Sequence, residues 1–186
     1  MTTGRALHRR AVERLELTRG QTVLDLGCGT GLAFPYIEER IGRQGRLIGI
    51  ELSPEMLAEA RRRVCKHGWE NVELIEAAVE EAVLPGPSDA ALFVLTHDLM
   101  RSRAALRKVI DALGSDGRIV AAGSKWAPRW LAPLNLYVWL KARRYVTTFE
   151  GFDHPWSLLA DLIPDLRVET ALAGAVYIAS GTVGDR

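Results

Sequence analysis

The stretch that decides the fold reads Val-Leu-Asp-Leu-Gly-Cys-Gly-Thr-Gly over residues 23–31. Its first four residues are typical of a short buried strand, and three alternating glycines follow directly. Glycines let the backbone turn tightly and approach a ligand closely. A helix is predicted from about Leu32, so the amides at its N-terminus would face that ligand. The stretch therefore predicts a strand, a ligand-binding turn and a helix.

The residues around this turn narrow the class of ligand. A dinucleotide-binding turn has a third glycine where Leu32 stands, and a P-loop has a lysine that is missing after Gly31. Asp25 precedes the first glycine by two residues, where a carboxylate would repel a pyrophosphate but suit a cationic group. Glu51 ends the second predicted strand, where an acid can accept both ribose hydroxyls. The pattern therefore predicts a nucleoside ligand that carries positive charge.

Strand-like and helix-like segments alternate along the chain. Five short runs are apolar on both faces, as in a parallel sheet covered by helices on both sides: 23–26, 47–52, 72–75, 90–95 and 118–122. The clearest helix is Pro54–His67, with Ser53 as its N-cap and Gly68 as its stop. Two more strand-like runs, 166–172 and 175–180, predict a hairpin. We therefore expect an α/β doubly wound sheet that ends in an antiparallel hairpin.

Length and composition exclude several classes of protein. The length of 186 residues and the hydrophobic content of 48% predict one globular domain over 1–186. A net charge of +1 gives no global sign of a nucleic-acid partner. Two cysteines cannot by themselves form a disulfide framework or a structural zinc site, and no metal site is predicted. The apolar run 130–140 is shorter than the ~20 residues of a membrane span, and no signal-peptide core is visible, so we expect a cytoplasmic protein.

The chain resembles the class I S-adenosylmethionine-dependent methyltransferases over nearly its whole length. The matching stretches are VLDLGCGTG (23–31), GIELSPEMLAEAR (49–61), DAALFVLTHDL (89–99) and ALGSDGRIVAAG (112–123). The resemblance implies a Rossmann-like sheet of seven strands, S-adenosylmethionine as the cofactor, and methyl transfer by in-line displacement.

The resemblance also implies which residues hold the cofactor. The acid matching Asp25 would hold the methionine portion, often through water, and the acid matching Glu51 would bind the ribose. The neighbouring Leu52 and Met56 would touch the adenine. The expected cofactor-binding set is Asp25, Gly27, Cys28, Gly29, Gly31, Glu51, Leu52, Met56, Ala77, Ala78 and Val79.

Two stretches depart from the family pattern. Relatives often have an Asp where Ala77 stands, so adenine recognition is expected from backbone groups of 78–79, from Glu76 or from Glu80. The turn before the fifth strand reads Gly-Ser-Asp-Gly over 114–117 instead of the commoner Pro-Gly-Gly. We expect this second departure to affect only the geometry of the turn.

His97 and Asp98 are the catalytic candidates. They follow the fourth strand, whose C-terminal end faces the ligand crevice in this fold class. A phenol or alcohol acceptor would benefit from a base such as His97, whereas an amine or activated carbon would need little help. In the alternative interpretation Asp98 caps the next helix and His97 is a packing residue. No Asn-Pro-Pro-Tyr sequence follows the strand, which disfavours the nucleic-acid base methyltransferases, and no nucleic-acid partner is expected.

The two ends of the chain differ from its middle. Residues 1–19 predict an amphipathic N-terminal helix. Residues 126–156 hold eight of the thirteen aromatics, and 124–145 hold five basic residues and no acid: Lys125, Arg129, Lys141, Arg143 and Arg144. We expect 124–156 to form a lid over the methyl acceptor, walled by Trp130, Tyr137 and Trp139. Plain core packing and peripheral membrane contact through 124–145 are the alternatives.

The predicted function is methyl transfer to a small hydrophobic or amphipathic acceptor, such as a lipid, a quinone or a natural product. A protein or RNA acceptor is one alternative. A non-catalytic sensor of an adenosine ligand is another, because a fold does not fix a function. A nicotinamide oxidoreductase is opposed by the missing third glycine and by Asp25. The sequence does not predict the oligomeric state.

Overall fold

The computed structural model describes residues 3–143 and 146–184. Arg144, one of the five basic residues noted above, lies outside the described residues. Within those ranges the strands are β1 (Thr22–Leu26), β2 (Arg46–Glu51), β3 (Val72–Glu76), β4 (Ser88–Val94), β5 (Leu113–Ser124), β6 (Arg167–Ala171) and β7 (Val176–Thr182). The helices are α1 (Thr3–Arg14), α2 (Phe34–Ile41), α3 (Pro54–His67), α4 (His97–Met100), α5 (Arg103–Ala112), α6 (Ala132–Ala142) and α7 (Ser157–Ala160).

The seven strands form one mixed sheet in the order β3-β2-β1-β4-β5-β7-β6. The first five strands pair in parallel, and β7 pairs antiparallel with both β5 and β6. The predicted Rossmann-like sheet and its terminal hairpin are therefore confirmed. The strand order reverses between β1 and β4, and ligands bind at such a switch point beyond the carboxyl ends of the strands.

Apolar side chains cover both faces of the sheet. Alternate residues of the central strands point to opposite sides, so Leu47 lies in one core and Ile48 in the other. Helices α1, α2 and α3 pack on the first face, and α5 and α7 pack on the second. This two-sided burial explains why the central strands are apolar without alternation.

Local sequence signals set the ends of α3. The hydroxyl of Ser53 accepts a hydrogen bond from the Met56 amide, and Gly68 ends the helix in the left-handed conformation, with φ at +64°. Both features were predicted. The N-terminal helix is shorter than the predicted 1–19, because it ends at Arg14 and Glu16 turns the backbone to a positive φ of 52°.

The turn expected over 114–117 is part of β5. The register with β4 shifts there, since Ser88 pairs with Leu113 but Ala90 pairs with Arg118. The extra residues form a bulge, and Asp116 takes a positive φ of 63°. The prediction that strand five begins at 118 was therefore wrong by five residues.

The basic and aromatic segment 124–156 contains α6 and a small core of its own. Trp126, Phe149 and Phe152 contact one another with ring centroids 5.1–5.3 Å apart. The side-chain amide of Asn135 both accepts from the Ala127 amide (2.8 Å) and donates to the Ala127 carbonyl (3.1 Å). This pair of hydrogen bonds explains why Asn135 stands within an apolar run, because the pair holds the preceding loop against α6.

Candidate active site

A cavity of about 560 Å³ lies beyond the carboxyl ends of β1, β2 and β4. Among the predicted residues it is lined by Gly27, Cys28, Gly29, Glu51, Leu52, Met56, Ala77, Ala78, Val79, His97 and Asp98. The structure thus gathers eleven predicted residues from four separate stretches of the chain.

Backbone hydrogen bonds fix the glycine-rich turn to β2. The amides of Gly27 and Cys28 both donate to the Ile50 carbonyl, at 2.8 and 3.0 Å. A Cβ on Gly27 would lie 2.6 Å from the methyl group of Thr96, so the loop after β4 leaves no space for a side chain there. At Gly29 the nearest atom to such a Cβ is the Met56 sulfur, 3.9 Å away. Gly29 therefore leaves the floor of the cavity open.

The Glu51 carboxylate is oriented by two backbone amides. One oxygen accepts from the Gly29 amide (2.9 Å) and the other from the Ser53 amide (2.8 Å). Each carboxylate oxygen has a second lone pair, so the group can still accept hydrogen bonds from two neighbouring hydroxyls of a ligand. This arrangement fits a ribose.

Asp25 is buried behind the turn and does not line the cavity wall. Its Oδ2 has no hydrogen-bond partner among the described residues. Burial, and next the charge of Glu51, raise the pKa of Asp25 to about 7. A buried carboxyl oxygen without a partner is costly. A cationic or hydrogen-bond-donating ligand that reaches it would relieve that cost.

Gly31 packs within the protein and does not line the cavity. Its φ is +72°, and a Cβ there would lie 2.7 Å from the Phe34 ring. The structure therefore gives this predicted cofactor contact a packing role at the start of α2.

The end of the cavity lined by Leu52 and Met56 is open to solvent. Leu52 is 67% exposed and Met56 is 45% exposed, which leaves two apolar side chains available to cover a flat ring. The carbonyl of Ala78 already accepts from the amides of Glu81 and Ala82. Of the two acids considered for adenine, Glu80 lines the cavity, and Glu76 faces Arg61 at 4.0 Å.

His97 and Asp98 fasten the segment after α6 to the end of β4. The Nε2 of His97 donates to the Glu150 carbonyl (3.1 Å), and its ring meets Phe152 edge to face. The carboxylate of Asp98 accepts from the Thr147 amide (3.3 Å). Burial lowers the pKa of His97, and its Nδ1 is enclosed without a partner among the described residues.

The alternative that Asp98 caps the next helix is not what the structure shows. Asp98 lies inside the short α4, and the Ser102 hydroxyl caps α5 by accepting from the Ala105 amide at 3.2 Å.

His8 of α1 also lines this first cavity, the predicted cofactor cavity, although the sequence did not single it out. Its Nδ1 donates to the Gly4 carbonyl (2.8 Å), and burial lowers its pKa. The neutral ring then carries its free lone pair on Nε2. The available signal was its spacing from Ala11, Val12 and Leu15 on the buried face of α1.

A second cavity of about 570 Å³ lies between α1, α6 and the β6–β7 hairpin. Leu95 lines both cavities. Of the three predicted wall residues, only Tyr137 lines the second cavity. Trp130 is 79% exposed before α6 begins, and Trp139 lies off the face formed by 134, 137, 138 and 141, so neither lines the second cavity.

Residues 23–117 match the family model described as a methyltransferase domain. The chain belongs to the methyltransferase domain family. S-adenosylmethionine is the cofactor of the class I methyltransferases, to which the matched motifs belong.

Named relatives of this chain share the motif region. The chain is 38% identical over 78 residues to an aklanonic acid methyltransferase of Streptomyces sp. (strain C5), covering 42% of this chain and 34% of that protein. It is 49% identical over 53 residues to a 2-phytyl-1,4-naphtoquinone methyltransferase of Thermosynechococcus vestitus. That match covers 28% of this chain and 24% of that protein. Other relatives are named as protein-L-isoaspartate O-methyltransferases. The chain thus spans about a third or less of these relatives' own lengths.

A solved structure described as a SAM-dependent methyltransferase from Aquifex aeolicus shares the fold. Its TM-score is 0.68 at 21% identity, with 95% of this chain and 89% of that chain covered. Among residues 3–143 and 146–184, no group of three or more His, Cys, Asp or Glu side chains could hold a metal ion. In the same ranges no helix has both the length and the apolar character of a membrane span.

Proposed function

We propose that the protein transfers a methyl group from S-adenosylmethionine to a small hydrophobic or amphipathic acceptor. The observation that carries this proposal is the Glu51 carboxylate, which two backbone amides hold at the mouth of the cavity beyond β1 and β2. A carboxylate in this position accepts the hydroxyls of a ribose. The unpartnered oxygen of Asp25 adds a preference for a cationic ligand over a pyrophosphate.

The chain's own residues would hold the cofactor along the turn. Glu51 would bind the ribose, and Asp25 would attract the charged methionine portion from behind the turn. Gly27 and Gly29 would let the backbone pass close to the cofactor, while Leu52 and Met56 would cover the adenine. Cys28 and 77–79 would complete the wall.

When bound, S-adenosylmethionine supplies an electrophilic methyl group on a sulfonium. The protein's remaining tasks are to align the acceptor and to exclude water. His97 and Asp98 would hold the segment 147–152 over the end of β4, since both bond to it directly.

Two histidines are candidates for a general base. His97 was predicted from the sequence, but both of its ring nitrogens are enclosed by protein. His8 lines the cavity, and none of the described residues bonds to its Nε2. His8 is therefore the better placed of the two to accept a proton from a hydroxyl acceptor.

The class of acceptor is supported by the second cavity and by the relatives. That cavity is lined largely by aliphatic side chains and meets the cofactor cavity at Leu95. Relatives named for aklanonic acid and for a phytyl naphthoquinone act on small hydrophobic molecules. The relatives named for isoaspartate keep a protein acceptor as the second candidate.

Peripheral membrane contact is a further part of the proposal. Around α6 the exposed large apolar residues are Trp130, Leu136, Tyr137, Trp139 and Leu140. Arg129, Lys141 and Arg143 accompany them, and Arg143 lies over the Trp139 ring at 4.8 Å. An exposed aromatic and basic surface of this kind suits an anionic headgroup layer.

Turnover tests the proposed function. We expect isotopically labelled S-adenosylmethionine to yield a labelled product with some member of a panel of quinones, phenolic acids and lipids. We also expect the protein to bind S-adenosylmethionine and not NADH. Binding without turnover across small molecules, peptides and RNA would favour the non-catalytic sensor, and preferential NADH binding would contradict the proposal.

A further inference from the structure

The second cavity has three apolar walls from separate parts of the chain. Helix α1 contributes Leu7, α6 contributes Leu134 and Val138, and the hairpin contributes Ala175 and Val176. Its volume of about 570 Å³ lies within the range of pockets for small ligands. An apolar body of matching size would be removed from water on every wall.

The charged residues that line this cavity are all cationic. Arg10 projects from α1 and Lys141 from α6, and no carboxylate of residues 3–143 or 146–184 lines the cavity. Among the described residues neither cation has a carboxylate within 4.0 Å, whereas Arg9 and Arg14 on the same helix α1 are paired with acids. Two exposed cations at the edge of an apolar cavity complement an anionic group on an otherwise apolar ligand.

Leu95 connects this cavity to the cofactor cavity. It lines both, and its backbone lies in the left-handed region with φ at +62°, which is unfavourable for a branched residue. Its amide donates to the Ala122 carbonyl at 2.8 Å, which fixes the backbone at the end of β4. Leu95 therefore lies at the boundary that the two cavities share.

We propose that the second cavity binds the methyl acceptor, and that the acceptor is an amphipathic anion. Its apolar body contacts Leu7, Val138 and Val176, and its carboxylate, or a group of like charge, meets Arg10 and Lys141. The reacting atom extends past Leu95 toward His8, which follows Leu7 on α1. This inference rests on the proposed methyl transfer and adds to it the chemical class of the acceptor.

Matched fluorescent probes test the inference. Anthracene-2-carboxylate and 2-(hydroxymethyl)anthracene share one apolar body, and each is titrated with and without saturating S-adenosylhomocysteine. We expect the carboxylate to bind more tightly, and its affinity to fall as salt is raised. Replacing both cations (Arg10→Gln with Lys141→Gln) should lower the affinity for the carboxylate probe by about fivefold or more and leave the affinity for the alcohol probe unchanged. Arg5→Gln, an exposed arginine of α1 outside the cavity lining, is the control that should change neither.

A space-filling variant gives an independent result. Ala6 is half-buried and lines the cavity, so Ala6→Trp should abolish binding of both probes while S-adenosylhomocysteine binds as before and the melting temperature is maintained. Equal affinity for carboxylate and alcohol, or full probe binding in Ala6→Trp, would overturn the inference and leave the proposed function intact. Probe binding only in the presence of anionic vesicles would assign the surface to a membrane instead. Failure to bind S-adenosylhomocysteine at all would count against the proposed function itself.

Discussion

At the scale of single residues, the most unusual group is the Asp25 carboxyl. It is fully enclosed, one of its oxygens has no partner among the described residues, and its pKa is raised to about 7. These properties lower the stability of the folded protein, and a bound charged ligand would offset that cost.

Asp25→Asn keeps the shape of the side chain and removes its charge. We expect the sulfonium cofactor S-adenosylmethionine to lose roughly tenfold more affinity than the neutral thioether S-adenosylhomocysteine, because only the former carries positive charge on sulfur. Isothermal calorimetry with both ligands measures the difference. Asp116→Asn, at an exposed aspartate of β5, should change neither affinity. Equal losses for the two ligands in Asp25→Asn would mean that Asp25 acts only through the architecture of the turn.

The same carboxyl predicts how stability depends on pH. Its pKa rises from 3.8 in the unfolded chain to about 7 in the folded, ligand-free protein, so the folded state holds this proton longer. The free energy of unfolding should therefore fall as pH rises from about 4 through about 7. Urea denaturation across this range should show the fall in the wild type and a flatter profile in Asp25→Asn. Identical profiles would contradict the assigned ionisation.

The two histidines can be separated by kinetics. With a hydroxyl acceptor we expect His8→Asn to lower kcat by about a hundredfold and to remove the acidic limb of the kcat–pH profile. That limb should lie below the ordinary histidine pKa, because burial lowers the pKa of His8. His97→Asn should loosen 147–152 and raise the acceptor KM while keeping the limb. A limb lost only in His97→Asn would make His97 the base.

At the scale of secondary-structure elements, α6 is the least conventional part of the molecule. Its sequence is apolar on nearly every side, yet only Val138 and Ala142 are buried within it. Such a helix either packs against a partner or leaves apolar surface exposed to water, which costs free energy.

Vesicle flotation tests the membrane-facing role of α6. We expect the protein to float with vesicles that contain phosphatidylglycerol and not with neutral ones. The double variant Arg129→Gln with Arg143→Gln should lose most of this binding, at ~1 kcal/mol for each charge near an anionic surface. Arg40→Gln with Arg43→Gln, exposed arginines at and after the end of α2, is the control that should still float. Equal flotation of both double variants would rule out a membrane role for these two α6-side charges.

Local elements and the cofactor turn could be predicted from the sequence because their signals are local. Ser53, Gly68 and the glycines of 23–31 each report a backbone conformation through their own residue type. The faces of α6 could not be predicted, since an almost uniformly apolar helix has no periodicity to read. Trp139 was therefore expected in the cavity wall but does not line the second cavity, and Trp130, which precedes α6, does not line it either.

At the scale of the whole molecule, the acceptor side depends on contacts between distant parts of the chain. His8 lines the predicted cofactor cavity only because α1 packs across β4 and β5, more than seventy residues away in sequence. Leu95 and the second cavity likewise depend on how α1, α6 and the hairpin meet. No local pattern encodes such a meeting, so these features emerged from the structure alone.

The sheet order explains why the predicted cofactor residues converge although they come from four stretches. Parallel strands β1, β2 and β4 end at one edge, where the reversal of strand order opens a crevice. Glu51 lies at the end of β2. The hydrogen bonds that its carboxylate accepts from two backbone amides connect the turn after β1 to the start of α3. Ribose recognition by Glu51 is therefore the central claim about this site.

The most direct test is calorimetry of S-adenosylmethionine binding to Glu51→Ala. Charge-assisted hydrogen bonds contribute roughly 1.5–3 kcal/mol, so the dissociation constant should rise by about tenfold to a hundredfold. Glu59→Ala, at an exposed glutamate of α3 that pairs with Arg62, is the matched control and should bind as the wild type does. Melting temperatures near that of the wild type would show that both variants fold. An unchanged affinity in a folded Glu51→Ala protein would contradict the account.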